Sequence, residues 1–484
     1  MKVVFFLRTP KELPYFEWAL RELGARQHRT VLVFESLTNA PMLDRLVNDV
    51  PTVSYRRVPS YTSDGQDWRR FGKELRRFWD YLHYLGPRFR NAHVLRVRVE
   101  ETIPPFLVRF AWLWRLAGRR GINVLVRVLN ALEAAIPVDT LLLQFLEQEQ
   151  PDVVLIAPLV DVGSSQVDYV KASRELGIRS VVAIPSWDNL TNKGLIRVVP
   201  DRVFVWNTAQ QAEAVELHKV PPARVVTTGA HLFDHWFNWS PSSTKQELIE
   251  GAGLRGDQPF VLYLGSTASI ASGEGQFVRR WLTAVRESSD PGIANIGVII
   301  RPHPKRVDYW KTVDLSAFGN VALSLSRGVQ DTESRRIYFD SMYHSAAVVG
   351  INTSALLEAA ITRRPILTVL GSEVADGQNG TLHFAHLLST FGGLVHVAQD
   401  FNEHLVQLRA AVFQPDGDKS QRFVESFIRP RGADIPASSY FADEVEAVSQ
   451  LGSYQPPASS LWSSLLRQLI GPLLPAHRNV RSQV

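Results

Sequence analysis

The sequence has no cysteine in 484 residues. That excludes disulfides, thiolate metal sites and a cysteine nucleophile, and it agrees with a reducing compartment. No window approaches about 18 uninterrupted apolar residues, so no transmembrane helix is expected, while interfacial binding stays open. The apolar run from Val3 to Leu7 stops at Arg8, Thr9 and Pro10. It therefore lacks the h-region and cleavage site of a signal peptide, reads as a first β-strand, and makes a cytoplasmic location the expectation. Internal repeats, coiled-coil heptads and long low-complexity tracts are missing. So are G-x-x-x-x-G-K-[ST], which argues against a P-loop ATPase, and a convincing strand-end Asp-x-Asp pair, which points to chemistry without a metal.

What is present suits a folded chain of two or three domains, with 45% apolar residues to build more than one core. The net charge of +5 is unevenly placed: from Arg56 to Arg127 there are 16 Lys+Arg against 6 Asp+Glu, so the rest of the chain is net acidic. The stretch from about 65 to 150 is aromatic and basic with helical spacing, as in Trp68 to Phe71 and Phe106 to Arg115, and predicts a helical insertion in an α/β domain.

Around the insertion, short apolar runs alternate with helical patterns, predicting βαβ units on parallel sheets. In the first half the runs are Val3 to Leu7, Thr30 to Phe34, Val153 to Ala157, Ser180 to Ile184 and Arg202 to Trp206. In the second they are Pro259 to Leu264, Gly297 to Arg301, Val321 to Leu325, Ala347 to Ile351, Pro365 to Leu370 and Leu394 to Val397. The polar stretch Asn238 to Lys245 is the best linker, giving expected domains at 1–237 and 238–430 with a helical tail at 431–484 and a ligand cleft between the two domains.

Several strands end in groups suited to a ligand, and such ends face the binding crevice of an open parallel sheet. After Val298 to Ile300 come Arg301, Pro302, His303, Pro304 and Lys305. The prolines hold His303 in a stiff turn where its imidazole suits a diphosphate oxygen, or else a backbone carbonyl. After Val348 to Ile351 come Asn352, Thr353 and Ser354, placed for a phosphate or for ordinary capping, with Glu358 one turn on as a ribose-binding carboxylate or a solvated one. Gly265, Ser266 and Thr267 follow a third strand and allow close backbone approach, or form a plain loop. Gln378, Asn379 and Thr381 belong to a loop suited to cover a donor. The nearby His383 and His386 lack the companions of a zinc site, so no metal is expected.

In the first half, Trp187, Asp188 and Asn189 form a dense strand-end loop: Asp188 is the first candidate base, and Trp187 and Asn189 suit an acceptor. An Asx turn is the alternative for Asp188. Glu12 and Asp161, on other strand-end loops, are rival carboxylates.

The order of Ile184 to Gly194, Pro200 to Asn207, Val225 to Asp234, Arg301 to Lys305 and Gly350 to Glu358 resembles the GT-B glycosyltransferase superfamily over roughly residues 150 to 400. The nearest likeness is to CDP-glycerol glycerophosphotransferase-like and capsule or surface-polysaccharide transferases. The resemblance implies two Rossmann-like domains facing a central cleft, donor phosphates on His303 with Pro304 and on Asn352 to Ser354, and the ribose on Glu358. The family's His-Gly-Thr-Pro-type turn is replaced here by Ser186 to Asn189, and its Asp-Tyr-Ser-Ser-type turn by Gly350 to Ser354, which favours sugar transfer over polyol-phosphate transfer.

The expected function is therefore metal-independent transfer of a sugar from a nucleotide donor to a cell-surface polysaccharide or lipid-linked acceptor, with no cofactor beyond the donor itself. A CDP-glycerol-type transferase, a nucleotide-sugar 2-epimerase and a noncatalytic scaffold on the same architecture are the alternatives. Arg56–Arg127 and the one-sided apolar helix Leu461–Ile470 suit an anionic membrane surface and a peripheral location, or else a solvated face. Nucleic acid is not expected as a partner, because no RRM, KH or helix-turn-helix pattern accompanies the charge.

Overall fold

The computed structural model describes residues 1–37, 41–116, 118–255, 258–325, 332–455 and 461–474. The chain forms two compact units, Met1–Leu232 together with the segment from Pro436 on, and Phe233–Ile435. Each carries the Rossmann-like, parallel-sheet plan of the GT-B fold.

The first unit has seven strands: β1 Lys2–Leu7, β2 Arg29–Phe34, β3 Val53–Arg57, β4 Val153–Ile156, β5 Arg179–Ala183, β6 Arg202–Val205 and β7 Val225–Thr227. They are all parallel in the order β3-β2-β1-β4-β5-β6-β7. In β1, Val3, Phe5 and Leu7 enter the core on one face of the sheet and Val4 and Phe6 the core on the other. A strand covered on both faces has no polar side to show, which is why it reads as an unbroken apolar run.

Between β3 and β4 lies the helical insertion, including Ser63–Tyr84, His93–Glu100, Pro105–Leu116, Gly118–Ala135 and Thr140–Glu149. A buried ionic network fastens it to the rest of the unit. Arg76, with none of its side chain exposed, donates to Glu133 at 2.7 Å and to Asp168 at 2.7 Å. The equally buried Arg197 pairs with Asp80. Helix Ala437–Gln450 supplies Phe441, Ala442, Val445 and Val448 to the core beside β1 and β4.

The second unit has six parallel strands: β8 Phe260–Leu264, β9 Gly297–Arg301, β10 Val321–Leu323, β11 Ala347–Gly350, β12 Ile366–Val369 and β13 His396–Ala398. Their order is β10-β9-β8-β11-β12-β13.

No single helix among the described residues is long and apolar enough to cross a membrane; Arg120–Ala135 and Thr140–Glu149 reach that length and composition only as a pair bent by 66°.

Candidate functional site

In the second unit β9, β8, β11 and β12 are consecutive neighbours, and all four of the turns singled out from the sequence leave their carboxyl ends. The turns touch. Gly265 N–H donates to the Arg301 carbonyl at 2.9 Å. A Cβ on Gly265 would stand 3.0 Å from His303 N and 3.1 Å from the Pro302 Cα, so a side chain there would push the two turns apart by a few tenths of an ångström.

His303 is half-buried and its Nδ1 accepts the Lys305 backbone N–H at 3.2 Å. An accepting Nδ1 places the ring proton on Nε2. Burial, with Lys305 and Arg306 adding like charge, lowers the His303 pKa, so the neutral ring presents an Nε2–H donor. Lys305 is exposed beside it.

Arg301 is 7% exposed, and its guanidinium interacts electrostatically with the Glu358 carboxylate. It stacks on the ring of Tyr338 at 4.5 Å from the centroid. The Tyr338 hydroxyl donates to Glu358, and the Trp236 indole donates to the other carboxylate oxygen at 3.3 Å. Both of these aromatic residues are buried, so the half-buried Glu358 turns its carboxyl end inward, and burial raises its pKa. Arg301, Tyr338, Glu358 and Trp236 thus form one polar stack behind the turns.

Asn352 is buried and ties β11 to the loop after β12. Its Nδ2 donates to the Gly377 carbonyl at 2.6 Å and meets His383 Nε2 at 3.3 Å and Thr381 Oγ1 at 3.4 Å. Its Oδ1 is buried with no hydrogen-bond partner, a state that costs roughly 1–3 kcal/mol unless a ligand donor fills it. Gln378 is also buried and donates to the Val369 carbonyl at 2.9 Å, so it holds the loop in shape. Asn379 is exposed, Thr353 half-buried and Ser354 exposed; Ser354 makes no side-chain cap to the helix Ala355–Ile361.

Ser266 is fully buried, and its N–H donates to Glu274 at 2.7 Å. Glu274 also meets Tyr263 at 3.3 Å and Arg306 at 3.4 Å, yet burial outweighs these partners and raises its pKa to about 7. Thr267 bonds Ser269 at 3.0 Å nearer the surface.

In the first unit the three carboxylates also gather at strand ends. Asp188 accepts Ser186 Oγ at 2.5 Å, Asn192 Nδ2 at 2.6 Å and Asn189 Nδ2 at 3.3 Å. Glu12 accepts the Arg8 backbone N–H at 2.7 Å, and burial raises its pKa. Asp161 pairs with Arg8 and lies 3.5 Å from Lys193 Nζ. Asp188 and Glu12 act electrostatically on both Tyr15 and Lys193, which places all three carboxylates around Lys193. Trp187 is buried, 3% exposed, and Asn189 is buried with an unpartnered Oδ1.

The sequence reading did not single out Tyr338, Trp236, Tyr15 or Lys193. Only an aromatic beside a polar linker hinted at Trp236. Among the described residues no group of three or more His, Asp or Glu is placed to hold a metal ion.

No protein-family model matches the chain, and no curated protein sequence does. Solved structures do. The UDP-GlcNAc 2-epimerase from Neisseria meningitidis, bound to UDP-GlcNAc, aligns with TM-score 0.50 and 12% identity over 93% of this chain and 100% of that one. The S. aureus MnaA structure with UDP aligns with TM-score 0.51 and 11% identity over 95% and 100%. A glycosyltransferase from Rickettsia africae aligns over 98% of each chain with TM-score 0.46 and 8% identity. At these identities the likeness establishes the GT-B-type fold and nothing finer.

Proposed function

We propose that the protein is a glycosyltransferase that takes a nucleotide-activated sugar on its second unit and an acceptor on its first. One observation carries this reading. The turns holding Gly265, His303 and Asn352 leave adjacent central strands and interlock, presenting a neutral Nε2–H and an unfilled amide oxygen at one set of strand ends, with the buried Arg301 guanidinium stacked on Tyr338 behind them. In an open parallel sheet that is where a nucleotide binds.

In the proposed reaction His303, Lys305 and Arg301 meet the charge that grows on the departing phosphate, the role a metal plays elsewhere. A carboxylate of the first unit takes the acceptor's proton. Burial that raises its pKa supports Glu12 in that role, with Asp188 held by its loop amides and Asp161 paired with Arg8 as alternatives. The capsule or surface-polysaccharide class of acceptor, and the likeness to CDP-glycerol-type enzymes, rest on the sequence turns.

A 2-epimerase is the second reading, favoured by the shape of the structures bound to UDP-GlcNAc and UDP. The transferase reading uses the basic cavity of the first unit for an acceptor. A thermal-shift panel of UDP, GDP, CDP, CMP and dTDP tests the donor site, with UDP first. If no nucleotide stabilises the protein, the donor reading fails. NMR of UDP-GlcNAc incubated with the enzyme and no acceptor separates the two activities, since the 2-epimer forms only if the second reading holds.

A peripheral seat on a membrane belongs to the same proposal. Helix Leu461–Ile470 packs on Gly118–Ala135, which packs on Pro105–Leu116. Together they expose Phe106 (67%), Leu113 (65%), Leu461 (83%) and Trp462 (75%) beside the exposed Arg109, Arg120, Arg127 and Arg467. Apolar side chains of this size amid arginines suit the interface of an anionic bilayer. Sedimentation with anionic vesicles, lost in Trp462→Ser with Leu461→Ser, is the check.

A further inference from the structure

The first unit contains a cavity of about 770 Å³ at the carboxyl ends of β1, β2, β3 and β4, walled on its far side by helix Ser63–Tyr84. Its cations are Arg8, Arg57, Arg69, Arg70 and Lys73; its carboxylates are Glu35 and Asp161. Both carboxylates are already engaged. Glu35 accepts Tyr169 Oη at 3.0 Å and Ser165 Oγ at 3.3 Å, with Arg69 at 3.8 Å. Asp161 is held by Arg8 and Lys193.

Arg57 and Lys73 are exposed to the cavity's solvent and have no acidic partner among the described residues. Tyr61 lines the same cavity, lies under the Arg69 guanidinium at 4.5 Å, and has a buried hydroxyl with no hydrogen-bond partner. Five like charges held around a concavity repel one another, and a structure keeps such a surplus where a polyanion offsets it.

The surplus over the two carboxylates is three charges. A lone carboxylate leaves most of that unmet, whereas a phosphate or diphosphate matches it and suits the planar fork of arginine. The wall itself is rigid. Asp80 accepts Gly163 N–H at 2.9 Å and Arg76 donates to the Ser164 carbonyl at 3.1 Å, so the buried ionic network fixes the loop that forms the cavity's side.

We infer that this cavity binds a phosphate or diphosphate group of the second substrate, so that the acceptor is a phosphorylated molecule held beside Asp161 and within the strand-end region of Glu12. This deepens the transferase reading and rests on it for the word acceptor; the anion site itself rests on the cavity alone.

The test is a pair of calorimetric titrations, with inorganic diphosphate and with UDP, on the full chain, on His303→Ala and on the double variant Arg57→Gln, Lys73→Gln. The two exchanged side chains in the double variant have no partners to lose, so folding is kept. Diphosphate affinity is expected to fall at least 10-fold in the double variant and to stay within 2-fold of wild type in His303→Ala, with the reverse pattern for UDP. The inference is overturned if the wild type binds no diphosphate, or if diphosphate binding follows His303 rather than Arg57 and Lys73. Failure of UDP leaves the anion site standing, and the donor reading falls only if the other nucleotides of the panel fail as well. Farnesyl diphosphate as a third titrant distinguishes sources: binding at least 10-fold tighter than inorganic diphosphate marks a lipid-linked acceptor, and equal binding marks a soluble one.

Discussion

The guanidinium of Arg301 lies 4.5 Å from the centre of the Tyr338 ring, and that ring's hydroxyl is spent on Glu358. Tyr338→Phe keeps the face under Arg301 and removes the donor, leaving Glu358 with Trp236 alone. Urea denaturation is expected to show a loss of about 1–3 kcal/mol, with the nucleotide-induced thermal shift retained. Unchanged stability would mean that water replaces the phenol at Glu358.

His303 is expected to act as a neutral donor. Burial beside Lys305 and Arg306 lowers its pKa below the ordinary histidine value, which favours the uncharged ring with its Nε2–H at neutral pH and above. UDP affinity should therefore not weaken as pH rises from 7 to 8. His303→Ala should weaken it at least 10-fold, since a hydrogen bond to a charged group is worth about 1.5–3 kcal/mol. A steep fall in affinity between pH 6 and 7 in the wild type would instead mark a cationic ring.

Glu274 sets a pH dependence of stability. Its folded pKa, about 7, lies above its ordinary 4.5, so the folded state holds the proton more tightly than the unfolded chain. The stability this contributes is full below pH 4.5 and is lost as pH rises through 7, about 3 kcal/mol in all. Wild type compared with Glu274→Gln by chemical denaturation should lose ground across pH 4.5 to 7. A difference that is flat with pH would show that Arg306 keeps the carboxylate ionised.

Arg76→Met should be severe. It strips the cation from Glu133 and Asp168, both buried, and breaking a buried ion pair from one side costs about 3–5 kcal/mol. The same change releases the Ser164 carbonyl. Diphosphate affinity should fall with stability, and circular dichroism with calorimetry on one preparation checks both. A variant as stable as wild type would show that the network is solvated.

How much of this was legible in the sequence follows from burial. The central strands stand out because sheet neighbours and helices cover both faces, leaving only apolar side chains. The strands that were not read, Val53–Arg57 and Val225–Thr227, are the two edges of the first sheet; the former buries only Val53 and exposes Tyr55, Arg56 and Arg57. The strand-end turns were legible because proline, histidine and asparagine directly after a core strand have no packing reason to be there. Their partners were not. Tyr338 and Trp236 reach Glu358 across 20 and 122 residues of chain, and nothing in their own surroundings points to that carboxylate. Arg76 looked like one more charge on a basic surface segment, yet it has no exposed side chain. Local composition reports charge, and only the fold reports whether that charge faces water.

Helix Ala437–Gln450 fills the core beside β1 and β4, although 280 residues separate it from the nearer of them. The first unit is therefore discontinuous, with the whole of the second unit inserted before its last piece. During synthesis Phe5, Phe16 and Phe204 wait without their final neighbour, while Phe233–Ile435 has already left the ribosome complete. The order of birth is thus reversed with respect to the order of closure: the unit begun first is sealed last. A nascent chain halted before Phe441 would present an unfilled apolar groove to chaperones rather than a finished N-terminal domain.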